Sequence, residues 1–234
     1  MTNEIFVLIH SPLVGPFTWA LAADELRQMN AEVVAPALQD VGGTGEPYWK
    51  RHVASVTRAL MAAPVDRALI LVAHSGAGPL LPPVRQATRR SIAAYLFVDA
   101  VLPEDGASRL DLMAQESAEM AEEFRQALAS GARFPAWGDS DLAEVIPDAG
   151  LRRRMLTELR PRSLAFFEEP LPVFEDWPDA PCGYLKFSSA YAPYAALARS
   201  NGWACRELPG GHFHMLVSPR AVARELVNLR KALG

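Results

Sequence analysis

Ser75 lies in a short run of small residues, Ala73-His74-Ser75-Gly76-Ala77-Gly78, that directly follows an apolar stretch. A tight turn from a strand into a helix pushes a serine into exposed, strained geometry. Small residues two positions before and after the serine keep such a turn free of clashes. A serine held in this way is a candidate nucleophile, provided that a base lies nearby. Taken alone, the same pattern also describes an ordinary Ser/Gly turn.

Two histidines near the end of the chain are candidates for the base. His212 follows Gly210-Gly211, and His214 lies two positions further on. A neutral imidazole with a pKa of about 6.5 can take the proton of a serine and return it to a leaving group. Either histidine could instead pack in the core. His10 and His74 flank the proposed site and are expected to orient loops, whereas His52 is expected on a helix surface.

Six apolar runs bounded by turn-forming residues predict the strands that position these side chains. Helical patterns lie between them, and two of these repeat apolar residues at spacings of 4, 3 and 4, from Trp49 to Leu60 and from Val222 to Leu233. Strands alternating with helices favour an α/β fold with a mostly parallel, doubly wound sheet of about six strands. The predicted strands are Ile5 to Ile9, Glu32 to Ala35, Ala68 to Ala73, Ile92 to Val98, Gly183 to Phe187 and Ala204 to Leu208.

Residues 103–172 break this alternation, because they contain helical patterns and no convincing strand. Helices are expected around Leu110 to Leu128 and Leu151 to Leu159. We interpret this segment as a helical lid inserted between the fourth and fifth strands of a single domain that spans residues 1–234, with a core of 1–102 and 173–234. Arg152-Arg153-Arg154 in the lid is expected to be a solvated face. A Gly-rich loop, Gly42 to Gly45, precedes the second helix.

These features resemble the α/β-hydrolase superfamily over nearly the whole chain, least clearly in the inserted helices. Residues 73–77 are similar to its nucleophile elbow, with alanines where glycines are commoner. The resemblance implies that Ser75 is the nucleophile and that the N–H of Gly76 stabilises the oxyanion. It also favours His212 over His214 as the base, since Gly211 directly precedes His212 as in the family pattern.

The acid of the family's catalytic triad is missing from its usual place. Most members carry an Asp just beyond the fifth strand, but Ser188 to Tyr194 contains no carboxylate. Asp99, at the end of the fourth strand, is the best substitute, because some members place the acid there and the order Ser, Asp, His is preserved. An acid is needed to hold the imidazole tautomer. Asp99 could also be structural, which leaves Glu168, Glu169 and Asp176 as alternatives.

The oxyanion hole departs from the family pattern as well. The spacing of residues 10–19 is similar to the branch that contains plant methylesterases and hydroxynitrile lyases. Where the superfamily has His-Gly-x and uses the N–H of x, this chain has Pro12, which lacks an N–H. Loss of one such donor typically costs a factor of ~10²–10³ in turnover. Either the Leu13 N–H or the Ser11 hydroxyl replaces the donor, the substrate is activated enough to do without it, or the chemistry is not acyl transfer.

The candidate lining residues and the motifs that are missing indicate which class of substrate the site could bind. Aromatic and apolar side chains are available to line a pocket, which suits an apolar small molecule, although each of them could equally pack in the core. No cluster of Arg or Lys near the site, no phosphate loop and no metal-ligand spacing is visible, so no cofactor and no metal are expected. The candidate lining residues are Phe17, Trp19, Leu102, Phe124, Trp137, Phe166, Phe167, Tyr191 and Phe213.

The net charge, the cysteine content and the pattern of apolar residues argue against several other classes of protein. The formal net charge of −4 gives no reason to expect a nucleic-acid partner. Two cysteines are too few for a disulfide framework. The N-terminus lacks the pattern of a signal peptide, and no apolar run is long enough to cross a membrane. A cytoplasmic protein without a membrane partner is the expectation.

The resulting hypothesis is a serine hydrolase that cleaves a carboxylic ester, thioester or lactone through an acyl-enzyme on Ser75. His212 would carry the proton and Asp99 would orient it. A second hypothesis keeps the fold but uses Ser75 and His212 for proton transfer without a covalent intermediate, as in a lyase or cyclase. A third is a small-molecule binding protein on the same scaffold.

Overall fold

The computed structural model describes residues 3–40 and 45–234 and contains a six-stranded, all-parallel sheet with the order β2-β1-β3-β4-β5-β6. This confirms the predicted α/β fold and its strands to within a residue or two at each end. The order reverses between β1 and β3, and ligands of such sheets bind at the carboxyl ends of the strands near this reversal. The strands are β1 Glu4–Ile9, β2 Glu32–Val34, β3 Ala68–His74, β4 Ile92–Val98, β5 Cys182–Lys186 and β6 Ala204–Glu207.

Helices cover both faces of the sheet, and the sheet separates two apolar cores. On one face, the helices α2 Tyr48–Leu60, α3 Leu81–Ala87 and α9 Ala192–Ser200 pack on the sheet. On the other face lie α1 Phe17–Gln28, the short α10 His214–Val217 and α11 Pro219–Lys231. The predicted periodicity is confirmed in α11, where Val222, Leu226 and Leu229 are fully buried.

Five helices lie between β4 and β5: α4 Arg109–Glu116, α5 Ala118–Ala129, α6 Asp139–Leu142, α7 Ala149–Leu156 and α8 Leu164–Phe167. The single helix predicted around Leu110 to Leu128 is therefore two helices, α4 and α5. Ser117 has an extended backbone, and its side chain accepts a hydrogen bond from the N–H of Met120, so it caps the start of α5. Arg153 and Arg154 are exposed as expected, but the expectation is wrong for Arg152, whose side chain is only 11% exposed and pairs with Asp139 at 2.9 Å. The division of the chain into a core and a lid stays a prediction.

The expectation that His52 lies on the surface is wrong. Its side chain, on α2, is fully buried and its Nε2 lies 3.2 Å from Oδ1 of Asp40. The ring packs between those of Tyr48 and Phe166, with centroids 6.5 and 6.4 Å away. The polar partner comes from the preceding loop, which a helical pattern does not reveal. Of the predicted Gly-rich loop, residues 42–44 lie outside the described residues.

Within residues 3–40 and 45–234, no helix is both long enough and apolar enough to cross a membrane. The same residues contain no group of three or more His, Cys, Asp or Glu side chains that could hold a metal ion. The cytoplasmic location stays a prediction.

Candidate active site

Ser75 lies at the carboxyl end of β3, where the chain turns into a 3₁₀ helix, Ser75–Leu80. Its φ is +57°, a left-handed conformation that costs a non-glycine residue energy. The Ser75 N–H donates to the carbonyl of Asp99 at 3.1 Å, and the Val101 N–H donates to the Ser75 carbonyl at 3.3 Å. Neighbouring backbone therefore holds the strained serine in place.

The small residues of this turn are required by crowding. Ala73 and Ala77, two positions before and after Ser75, are fully buried. A Cβ on Gly78 would lie 1.8 Å from the carbonyl oxygen of Val101. A side chain at Gly78 would displace the loop after β4. The sequence pattern and the local geometry agree on a nucleophile-elbow conformation.

Asp99 follows β4 and is fully buried with a φ of +41°. Its Oδ1 accepts hydrogen bonds from the backbone N–H groups of Phe187 at 2.7 Å and Ser188 at 3.1 Å. Its Oδ2 accepts the Ser188 hydroxyl at 2.6 Å and lies 3.1 Å from Nδ1 of His212. A buried carboxylate needs such partners, because burying an unpaired charge is costly.

The alternative acids lie elsewhere. Glu168 and Asp176 are exposed. Glu169 accepts hydrogen bonds from the N–H groups of Tyr48 and Trp49, at 2.5 and 2.8 Å, and so binds the start of α2. Among the four carboxylates considered from the sequence, Asp99 is the one hydrogen-bonded to His212.

His212 lies on the loop after β6, and neighbouring side chains hold it in position. Its carbonyl accepts a hydrogen bond from Nε2 of His74 at 2.9 Å, and the two rings lie 4.5 Å apart. Burial, with a smaller contribution from His212, holds the pKa of His74 well below its usual value, so His74 is neutral and acts as a donor. His214 instead packs on Phe187, with ring centroids 5.6 Å apart.

Two predicted lining residues support this arrangement from inside the core. Trp19 is fully buried, and its ring meets that of His74 edge to face at 6.1 Å. Phe213 is 3% exposed and packs on His74 with centroids 5.7 Å apart. Both side chains hold the His74 ring rather than face an open cavity.

Tyr191 joins the serine to the histidine. Its hydroxyl lies 3.2 Å from Oγ of Ser75, and its ring is stacked on that of His212 with centroids 4.8 Å apart and planes 2° from parallel. In the described part of the chain, Ser75 Oγ and the His212 imidazole are not hydrogen-bonded to each other. The sequence predicted Tyr191 as a lining residue, but nothing in it indicated this hydrogen bond.

The loop after β1 carries the candidate oxyanion donors. The N–H of Leu13 is directed at Oγ of Ser11, at 3.4 Å. Oγ of Ser11 lies 3.6 Å from the position that a Cβ on Gly76 would take. The Ser11 hydroxyl is therefore close to Gly76, and its hydrogen remains available to a bound substrate.

His10 fixes the base of this loop. Its Nε2 accepts the Leu38 N–H at 3.1 Å, so its Nδ1 carries the proton and donates to the Ser11 carbonyl at 2.8 Å. Burial lowers the pKa of His10 to about 4. The imidazole is neutral at neutral pH and orients the loop, as the sequence predicted.

Arg162, which no sequence pattern indicated, is hydrogen-bonded to the carbonyl of Pro12. Nε and Nη2 of Arg162 donate to the Pro12 carbonyl at 3.2 and 2.9 Å, and Nη1 donates to Asp40 at 2.6 Å. Although burial opposes ionisation of Asp40, hydrogen bonds from His52 and Arg162 hold its pKa below the usual range. The buried guanidinium of Arg162 is thereby paired with a carboxylate that is itself partly exposed. Because Arg162 lies 150 residues after Pro12, no local pattern could reveal the contact.

Comparison with known proteins identifies the family of this chain. A model of the alpha/beta hydrolase family matches residues 6–225. A carbendazim hydrolyzing esterase of Nocardioides sp. (strain SG-4G) is 25% identical over 251 residues, covering 96% of this chain and 98% of the esterase.

Solved structures show the same fold. An extracellular alpha/beta-hydrolase from a Paenibacillus species superimposes with a TM-score of 0.78 at 22% identity, over 97% of this chain and 98% of its own. Polyneuridine aldehyde esterase superimposes with a TM-score of 0.72 at 18% identity, over the same shares. The chain belongs to the alpha/beta hydrolase family and is a hydrolase of that fold.

Proposed function

We propose that this chain is a serine hydrolase that cleaves a carboxylic ester, thioester or lactone of a largely apolar small molecule through an acyl-enzyme on Ser75. The observation that carries the proposal is the hydrogen bond of 3.1 Å between Asp99 Oδ2 and His212 Nδ1, beside a serine on a strained turn. The bond directs the other imidazole nitrogen, Nε2, away from the acid and leaves it available as the base.

Acylation begins with the transfer of one proton and the formation of one new bond. Ser75 Oγ attacks the carbonyl carbon as its proton passes to Nε2 of His212, and the carbonyl electrons move onto the oxygen. Asp99 stabilises the imidazolium that forms. Collapse expels the leaving group, which takes the proton from His212. Water repeats the sequence on the acyl-enzyme and restores the Ser75 hydroxyl.

The oxyanion requires two donors, and Pro12 supplies none. The N–H of Gly76 and the hydroxyl of Ser11 are the two proposed donors, because Ser11 Oγ lies 3.6 Å from the position that a Cβ on Gly76 would take. A preorganised donor of this kind typically contributes a factor of ~10²–10³ to turnover. The side-chain hydroxyl thus takes the place of the missing backbone N–H.

The helices between β4 and β5 are proposed as a lid over this site. The Arg160 N–H donates to the Leu13 carbonyl at 2.9 Å, and Trp137 packs on Phe213 with centroids 5.9 Å apart. Val145 lies so close to Gly211 that a Cβ there would be 3.0 Å from its own Cβ. The inserted segment therefore contacts the loops that carry the oxyanion donors and the base.

An apolar ester is the proposed substrate class. Aromatic rings surround the base, since Phe213 and Tyr191 both pack on His212, with centroids 5.0 and 4.8 Å away. Aromatic rings next to the base favour an apolar group on the substrate. The relatives named as esterases support the same class of bond.

The test is the intact mass of the protein after incubation with a fluorophosphonate, with Ser75→Ala as the control. We expect a single adduct that is absent from the variant, together with hydrolysis of p-nitrophenyl esters. A folded protein that gives no adduct and releases no p-nitrophenol contradicts the proposal.

A second candidate is acid–base catalysis by Ser75 and His212 without a covalent intermediate. It is favoured by Pro12, which withholds an oxyanion donor, and by the Ser75 hydroxyl, which is hydrogen-bonded to Tyr191 and not to His212. Product analysis separates the two functions. Cleavage of a substrate without incorporation of oxygen from labelled water would support the second candidate and exclude hydrolysis of that substrate.

A further inference from the structure

Tyr191 occupies the segment where the sequence lacks the usual acid. It ends a 3₁₀ turn, Ser189–Tyr191, between β5 and α9. The turn brings its hydroxyl to 3.2 Å from Ser75 Oγ, and the stacking on His212 fixes the plane of the phenol ring. The phenol therefore touches both the atom that attacks and the group that carries the proton.

The phenol can act as a hydrogen-bond donor at this site. Burial raises the pKa of Tyr191 above its ordinary value, and the negative charge of Asp99 adds to this effect. The group stays protonated at neutral pH, so it can donate a hydrogen bond and does not abstract a proton. If Tyr191 donates to Ser75 Oγ, the hydrogen of Ser75 is left free to pass to His212.

Two oxygens of the substrate develop negative charge, the carbonyl oxygen and the leaving-group oxygen. The side of Ser75 on which Tyr191 lies decides which of them its hydroxyl can reach. In the proposed mechanism the oxyanion forms on the side of Gly76 and Ser11, whose Oγ lies 3.6 Å from the position of a Cβ on Gly76. The leaving-group oxygen must lie on the side of His212, from which it takes its proton. Since the ring of Tyr191 is stacked on His212, its hydroxyl lies on the side of the leaving group.

We propose that the Tyr191 hydroxyl hydrogen-bonds the leaving-group oxygen while the bond from the carbonyl carbon to that oxygen breaks. This inference rests on the proposed function. No net proton leaves Tyr191, because His212 supplies the proton that neutralises the departing oxygen. In deacylation the departing oxygen is Ser75 Oγ itself, and the hydrogen bond returns to the position seen in the structure.

A donor at the leaving group matters most when that group is strongly basic, because more negative charge then accumulates on its oxygen. A p-nitrophenolate is stabilised by its own ring and needs little help. A p-methoxyphenolate is more basic and gains more from the donor. A donor in the oxyanion hole would instead serve all esters of one acid about equally, since their carbonyl oxygens carry similar charge.

The experiment compares the wild type with Tyr191→Phe on p-nitrophenyl, phenyl and p-methoxyphenyl butanoate, with kcat/KM as the measurement. The phenylalanine keeps the ring that stacks on His212 and removes only the hydroxyl. Tyr194→Phe is the matched control, since it removes a hydroxyl three residues away, on a ring 5.9 Å from that of Tyr191. Fluorophosphonate labelling of Ser75 shows that each variant retains its nucleophile.

We expect Tyr191→Phe to lower kcat/KM by about 10–100-fold on the p-methoxyphenyl ester and by at most a few-fold on the p-nitrophenyl ester. Tyr194→Phe should lower neither. An equal loss on all three esters, or no loss on any, overturns the role of Tyr191 and leaves the proposed function standing. A wild type that hydrolyses no ester and takes no label overturns both.

Discussion

The Ser188 hydroxyl donates a hydrogen bond of 2.6 Å to Oδ2 of Asp99, and the Ser188 N–H lies within 3.1 Å of Oδ1. The loop after β5 carries no acid of its own between Ser188 and Tyr194. It contributes donors that hold the acid of the neighbouring strand. The proposed catalytic carboxylate is thus shared between two strand ends.

Replacing Ser188 with alanine tests this support. Loss of a hydrogen bond to a buried charged group should lower the free energy of unfolding by about 1–3 kcal/mol. It should also lower kcat/KM on an ester, because Asp99 Oδ2 loses the donor that holds it against His212. Urea unfolding and steady-state kinetics measure the two effects. Ser189→Ala, at an exposed neighbouring position, is the control and should change neither.

Replacing Asp99 with asparagine should lower kcat by about 10⁴-fold, because the amide no longer selects the imidazole tautomer that leaves Nε2 free. The p-nitrophenyl ester assay measures this loss. Asp176→Asn, at an exposed position, should leave turnover unchanged. A near-normal rate in folded Asp99→Asn protein would remove Asp99 from the triad.

Ser11→Ala tests the side-chain oxyanion donor. We expect kcat to fall by a factor of up to about 10²–10³, because the tetrahedral intermediate then keeps only the N–H of Gly76. Adding Pro12→Ala to that variant restores a backbone N–H at the position where the family has one. The double variant should therefore recover part of the lost turnover. If Ser11→Ala alone retains full activity, the hydroxyl is not the donor.

The buried His10 predicts how stability depends on pH. Burial lowers its pKa from 6.5 in the unfolded chain to about 4 in the folded protein. Between these values the unfolded state binds more protons, so the free energy of unfolding falls as the pH falls from 6.5 to 4. The shift corresponds to about 3 kcal/mol.

Urea unfolding at pH 7 and at pH 4.5 measures this dependence. His10→Gln, which does not titrate in this range, should lose less stability between the two values than the wild type. His52 and His74, whose pKa values burial also lowers, add to the decline in both proteins. An identical decline in the wild type and in the variant would contradict the role assigned to His10.

Local patterns in the sequence were sufficient for the architecture. The six strands were recognisable because each is a short apolar run between turn-forming residues, and the burial of Val222, Leu226 and Leu229 follows directly from helical periodicity. The turn at Ser75 was recognisable because its small neighbours are consecutive in the chain. Such features depend on residues within a few positions of one another, which is the range over which backbone sterics and side-chain period act.

Only the tertiary structure decided which side chains meet. Asp99, Ser188 and His212 are brought together by strand order, and the contact of Arg162 with Pro12 depends on how the inserted helices fold back. The contact of Tyr191 with Ser75 depends on where the turn after β5 ends, and the burial of His52 on a polar partner from another loop. Each of these contacts joins different elements or loops of the chain, so its energy depends on packing between them, which no single segment of the chain contains.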